Sequence, residues 1–336
     1  MSRPSFAHLL RMSDDTGVFE HARGAIPRRE HGYCVDDVAR ALLVISREAD
    51  PEPPVTALGE RCLAFLAHAQ DADGSFRNRL GYDRSWKDTP GTGDWWGRAL
   101  WGLGTAAVHH PLARVRADAM QCFEVGATRR SASPRSMAFA ALGAAEVAVA
   151  RPADAATRAL LVAAASTIGR PGRDPSWPWP EPRLTYANAV IPDALLAAGN
   201  ALGDDRLVED GLGLLGWLLD VETGAGHLSV TPVGGWGPGE HRATFDQQPI
   251  EASSLADACA RAFASTGHPR WLAGVELALG WFRGDNDAGV ALLDPSTGGG
   301  YDGLTDTGCN TNQGAESTLA LIATEQHASH RLRATA

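Results

Sequence analysis

The stretch His31–Val44, HGYCVDDVARALLV, sets two adjacent carboxylates, Asp36 and Asp37, at the head of an apolar helical run. Successive helix positions diverge by about 100°, so one of the two can cap the helix while the other points elsewhere. Arg40 falls four positions after Asp36, within reach of an i,i+4 ion pair that would orient a carboxylate and keep it ionised. With Tyr33 just upstream, this is the composition of a polar, aromatic-walled site at a helix N-terminus. A capped and paired helix start is the plainer reading of the same residues.

Outward from this stretch the arrangement recurs. A loop rich in Gly, Pro, Asp or Asn leads into a small-residue helix six times, with entries at Tyr33, Gly93, Ala132, Tyr186, Asp246 and Asn310. Between them lie amphipathic segments with Leu or Val at three- and four-residue spacing, expected at about 4–12, 55–70, 110–126, 153–168, 204–219 and 268–284. Boundary signals agree: Ser133 before Pro134, Gly203 ahead of Asp204, and Gly267 before His268 and Pro269. Strand patterns are lacking. Six helices crowded around one axis favour Ala, Gly and Ser, whereas an outer ring meets solvent. The expectation is therefore an all-α (α/α)6 toroid of six inner and six outer helices, a single domain over 1–336, with the loops before the inner helices lining a cleft. A helical-repeat scaffold for protein partners would also pair its helices, but its loops are normally short and alike, unlike these.

Composition narrows the function. The 336 residues are 44% hydrophobic and 21% charged, ordinary for a soluble chain with a large core. The N-terminus, MSRPSFAHLLRMSDD, has no apolar stretch of signal-peptide length, and no window reaches membrane-spanning length, so a cytoplasmic location is expected. A net charge of −10 without a basic cluster argues against nucleic acid and anionic membranes as partners. The five cysteines, Cys34, Cys62, Cys122, Cys259 and Cys309, stand singly and read as reduced, mostly packed thiols; no structural metal and no cofactor is expected. Of ten tryptophans, Trp86, Trp95, Trp96, Trp177, Trp179 and Trp236 sit in polar, Gly/Pro-rich segments, where indole faces suit stacking on sugar rings.

Five blocks carry a family likeness: HGYCVDDVARAL, Asp73–Trp86 (DGSFRNRLGYDRSW), Gly97–Gly104 (GRALWGLG), Phe245–Ala252 (FDQQPIEA) and Asn312–Ala320 (NQGAESTLA). Together they resemble a family of bacterial (α/α)6-barrel carbohydrate-active proteins, often labelled as glycosyltransferase-associated, and more broadly the six-hairpin glycosidases. A more distant likeness is to barrels of the N-acylglucosamine epimerase and mannose isomerase type. The resemblance implies a saccharide substrate, an acidic pair and a possible glycosyltransferase partner. The chain departs from the pattern in having Asp94, Trp95 and Trp96 where a polar residue is expected beside the acid ahead of GRALW.

Cleaving a glycosidic bond requires one carboxylic acid to protonate the leaving oxygen and one carboxylate to activate water or attack the anomeric carbon. Candidates on the loop-led helices are Asp36, Asp37, Asp94, Glu251 and Glu316, with Asp246, Asp302 and Asp306 in adjacent loops. Gln247 and Gln248 precede Glu251, and Asn312 and Gln313 precede Glu316, so both acids are set among amides able to bind hydroxyls. Alternatively, Glu251 forms a capping box with Gln248 or a core ion pair, and Glu316 simply occupies a first turn. Substrate contacts are expected from Tyr33, Arg40, Trp86, Trp95, Trp96, Trp179, Trp236, Gln247, Gln248, Asn312 and Gln313. The expected activity is glycoside hydrolysis with inversion, the two carboxyls roughly 6.5–9.5 Å apart. An isomerase or epimerase would use imidazole, and His21, His31, His227 and His241 all lie in loops, not at inner helix starts. A lyase using Arg77, Arg79 and Arg84 beside Tyr82, and a non-catalytic glycan-binding subunit, are further alternatives.

Overall fold

A computed structural model describes residues 3–334. Among them run twelve α-helices: α1 (Ala7–Arg11), α2 (Val35–Arg47), α3 (Pro53–Ala69), α4 (Asp94–His109), α5 (Ala113–Gly126), α6 (Pro134–Ala150), α7 (Ala155–Ile168), α8 (Val190–Leu202), α9 (Asp205–Val221), α10 (Pro249–Thr266), α11 (Pro269–Arg283) and α12 (Ala315–Ala334). The even-numbered helices pack α2 on α4, α4 on α6, α6 on α8, α8 on α10, α10 on α12 and α12 on α2, so the inner ring closes. The odd-numbered helices pack outside it, α3 on α2, α5 on α4, α7 on α6, α9 on α8, α11 on α10 and α1 on α12. This is the (α/α)6 toroid read from the sequence.

Small residues make the ring possible. A side chain at Gly97 would run into the Ser136 carbonyl, one at Gly143 into the Leu100 carbonyl, and one at Gly104 into Gly143, so α4 and α6 touch backbone to backbone. Helix starts follow their local signals. The Ser133 hydroxyl accepts from Ser136 N and Asp204 from Arg206 N, while Gly203 and Gly267 take φ of 71° and 67°. His268 caps α11, its ring nitrogen accepting from Arg270 N.

One outer element is shorter than its pattern. The segment expected at about 4–12 forms only the five-residue α1. Short strands also appear where none were expected, in five two-stranded ribbons: β1 (Ala22–Arg23) with β2 (Ile26–Pro27), β3 (Tyr33–Cys34) with β4 (Arg79–Leu80), β5 (Thr223–Gly224) with β6 (His227–Leu228), β7 (Leu293–Asp294) with β8 (Gly299–Gly300), and β9 (Gly303–Thr305) with β10 (Gly308–Asn310). All lie in loops running from an outer helix to the start of the next inner one. These loops gather at one end of the ring, the front, while the connections at the back are short. No helix among the described residues is long and apolar enough to cross a membrane.

Candidate active site

A cavity of about 360 Å³ opens at the front, where α2 and α12 begin. Its wall includes five carboxyls, Glu20, Asp36, Asp37, Asp302 and Glu316, and three arginines, Arg40, Arg79 and Arg98. His21, Cys34, Gln248, Asn310, Gly314 and Ser317 complete it.

Neither aspartate of α2 caps its helix. Val35 N instead meets the Asn78 carbonyl at 3.0 Å and the Asn78 side-chain oxygen at 3.1 Å, across the β3–β4 ribbon, which releases both acids toward the cavity. The pairing differs from the expected i,i+4 bridge as well. Arg40 donates to Asp37, one turn back at i,i+3, through Nη1 at 2.7 Å, and to Glu316 of α12 through Nη2 at 2.6 Å. Asp36 takes Arg98 of α4 instead, at 2.9 Å. Helix geometry explains the swap, since successive positions diverge by about 100°: Asp36 turns toward α4 and meets Arg98, while Asp37 lies one turn before Arg40 on its own helix.

The environments push these carboxyls apart. Burial raises Asp37, and the charge of Glu316 adds to it against the pull of Arg40, leaving its pKa at about 6. Burial also opposes ionisation of Asp36, but Arg98 and Arg40 outweigh it and hold its carboxyl below the usual range. Asp302 is raised by burial, despite donors from Ser317 Oγ at 2.6 Å and Gly314 N at 2.8 Å. Cys34 donates its thiol to Asp37 at 3.1 Å, and burial plus the two aspartates lift its pKa well above the thiol range. Ligand atoms of Glu20, Cys34 and Asp37 lie within 4.8 Å of one another, with the thiol of this trio held protonated.

Other expected site residues lie elsewhere. Glu251 does not line the cavity: it is buried, its carboxylate accepting from Asn188 N and Nδ2, both at 3.1 Å, and from Ala187 N, which ties α10 to the loop before α8. Burial and the nearby Glu222 push its pKa up, but this carboxyl is turned to the N–H groups of Ala187 and Asn188, not to the cavity. No capping box forms, since the Gln248 side chain makes no cap bond. Asp94 accepts from Ser136 Oγ at 2.6 Å, tying α4 to α6 instead of facing the cavity.

None of the named tryptophans lines the front cavity. Trp96 is fully buried and donates to the Gly126 carbonyl, and Trp95 donates to that of Phe76. Trp86 packs on Phe65 and His68. Trp177, Trp179 and Trp236 cluster with Trp217, Trp177 edge-on to Trp217 and Trp236 and Trp179 stacked on Trp217, so these indoles pack on each other. Tyr33 is buried on Phe19 and donates to Asp14 at 2.7 Å. Gln247 and Gln313 hold loops, the first through Asp287 and Trp281, the second through Asp294 and Thr297. Asn312 accepts from Gly24 N. From the expected set the cavity thus gathers Asp36, Asp37, Glu316, Arg40 and Gln248, with the loop acid Asp302 and, from the isomerase and lyase alternatives, His21 and Arg79. Arg98 and Glu20 were not foreseen. A charged residue inside the small-residue run GRALWGLG was the available signal for Arg98; nothing marked Glu20.

No family model matches the chain, and no curated protein matches it. Solved structures do. It is similar to a sugar epimerase from a ruminal bacterium, at 12% identity and a TM-score of 0.72 over 96% of this chain and 95% of that one. It is similar to a D-mannose isomerase at 10% identity and a TM-score of 0.68, over 97% and 95%. A GH76 alpha-mannanase of Bacteroides thetaiotaomicron follows at 11% identity and a TM-score of 0.63, over 90% and 88%. At these identities the likeness shows the (α/α)6 fold.

Proposed function

We propose that the protein is a carbohydrate-active enzyme that hydrolyses a glycosidic bond in the front cavity, with Asp37 as proton donor and Glu316 as the carboxylate that activates water. The observation that carries this is the Asp37–Arg40–Glu316 arrangement. One guanidinium holds both carboxyls, from α2 and from α12, on one cavity wall. Their exposures differ in the sense the chemistry needs: the Asp37 side chain is 4% exposed and Glu316 39%. The sheltered acid, its pKa raised to about 6, holds its proton in mildly acidic solution, and the charge on its partner helps it to do so. The exposed Glu316 has access to solvent water. Asp36, kept ionised by Arg98, and the amides of Gln248 and Asn310 are placed to take sugar hydroxyls.

The fold neighbours act on sugars by name, in line with a saccharide ligand. Asp37→Asn and Glu316→Gln should each lower turnover of a cleaved glycan by about 10²–10⁴-fold. Binding of the same glycan, followed by calorimetry, should change far less. Full activity in both variants would remove these residues from the mechanism.

A second reading has its own observation. His21 lines the cavity, its ring edge-on to His31 at 4.8 Å, and two of the fold neighbours are a sugar epimerase and a mannose isomerase. Epimerisation would exchange solvent deuterium into the carbon beside the carbonyl and release no new reducing ends. It would depend on His21.

A further inference from the structure

The two oxygens of the Asp37 carboxyl are held by different donors. Arg40 Nη1 meets Oδ1 at 2.7 Å, and the Cys34 thiol meets Oδ2 at 3.1 Å. Arg40 also serves Glu316, whereas the thiol, among the described residues, donates to Asp37 alone. Cys34 stands at the N-cap of α2 in extended backbone, φ −125° and ψ 148°, and pairs with Arg79 across the β3–β4 ribbon. Asp37 is the third residue of that helix, so the turn itself brings thiol and carboxyl together. Ser, Thr, Asp or Asn is usual at an N-cap, because a side-chain oxygen there accepts from the free N–H groups of the first turn. Here Asn78 answers Val35 N from the ribbon, and the N-cap side chain donates instead. Burial and the two aspartates keep the thiol protonated, so it remains a donor when Asp37 ionises.

We infer that Cys34 is a positioning residue for the proton donor, its thiol steering Oδ2 of Asp37 at the wall of the front cavity, an inference that rests on reading Asp37 as that donor. The guanidinium disfavours protonation of the oxygen it holds, so the transferable proton belongs on Oδ2, beside the thiol. A protonated Oδ2 keeps a lone pair for the S–H group, and the contact persists in both states of the acid. A thiol is a weak donor. That suits a group that must orient a carboxyl without stripping its proton, since hydrogen bonds to the ionised form lower a carboxyl's pKa. The charged groups facing Asp37 are Arg40 on its own helix, Glu316 of α12 and Glu20 of the loop before β1, the last held by Arg79 of β4. Arg98 of α4 is taken by Asp36.

The test follows hydrolysis of one cleaved glycan across pH by wild type, Cys34→Ala and Cys34→Ser, with Asp37→Asn beside them. Cys34→Ala should lower kcat about tenfold with KM within about twofold, because a misdirected acid is felt in the transition state and hardly in binding. Its alkaline limb should lie at higher pH than that of wild type, since a bond to the ionised carboxyl is gone. Cys34→Ser keeps a donor and should recover most of kcat, with the limb at the wild-type position or below. Unchanged kcat and an unmoved limb in Cys34→Ala overturn the inference. So does a loss of kcat that Cys34→Ser shares in full with the limb unmoved, the mark of a packing defect. Infrared spectra need neither substrate nor a folded Cys34→Ala: the Cys34 S–H stretch, identified by its absence from Cys34→Ser, should shift as pH crosses about 6 and stay fixed in Asp37→Asn. A wild-type band indifferent to pH overturns the inference. Turnover retained by Asp37→Asn removes the donor reading and this inference together, whereas turnover lost there with Cys34→Ala matching wild type removes the inference alone.

Discussion

Asp37 and Glu251 share a sequence signature, an acid in the first turn of an inner helix behind a polar loop, and the fold gives them opposite duties. Asp37 faces the front cavity; Glu251 secures the loop before α8. The sequence could not separate them, because which acid turns inward depends on where the neighbouring loop places its N–H groups. The arginine partner was legible only in part: Arg40 does hold a carboxylate of α2, but that of Asp37. If Asp37 is the donor, kcat/KM requires its protonated form, so the alkaline limb of activity should fall as pH rises through its pKa of about 6, while ionisation of the base Glu316 sets the acid limb. A pH–rate profile measures this, and an alkaline limb far from pH 6 would assign the proton to another group. For Glu251→Gln the expectation is structural. An amide nitrogen would oppose the Ala187 and Asn188 donors, with a stability loss of about 1–3 kcal/mol by denaturant titration. Glycan turnover per folded molecule should persist; its collapse by orders of magnitude in a stably folded variant would return Glu251 to the chemistry.

The elements were more legible than the residues on them. Small residues marked the inner helices because six helices around one axis must approach closely, and the same crowding yields a test. Gly143→Ala on α6 would drive a methyl group into the Leu100 carbonyl of α4, where backbone cannot move aside cheaply. Overpacking of this kind costs about 1–3 kcal/mol, read as a lower denaturation midpoint at unchanged m-value. An unaffected midpoint would mean that the ring tolerates expansion at this contact. The loops were less legible. Strands of two or three residues are too short to show a period of two, so the ribbons left no pattern. Tryptophans in polar segments suggested sugar platforms, but such loops need an apolar underside to pack on the helices, and Trp177, Trp179 and Trp236 supply it.

At the scale of the molecule, the toroid is asymmetric: elaborated loops and the acid-lined cavity at the front, short turns at the back. That asymmetry was legible because loop length alternates along the chain, and it explains why the first turns of α2 and α12 can meet in one cavity though about 280 residues of sequence separate them. The fold admits both hydrolysis and epimerisation, so the reaction must be read from bonds broken. The most direct measurement follows a glycan panel by proton NMR in D₂O, with wild type and Asp37→Asn in parallel. The account predicts new reducing ends from wild type, no deuterium at carbon, and none of these products from Asp37→Asn. Deuterium incorporation beside the carbonyl carbon without cleavage, or unchanged cleavage by Asp37→Asn, would contradict it.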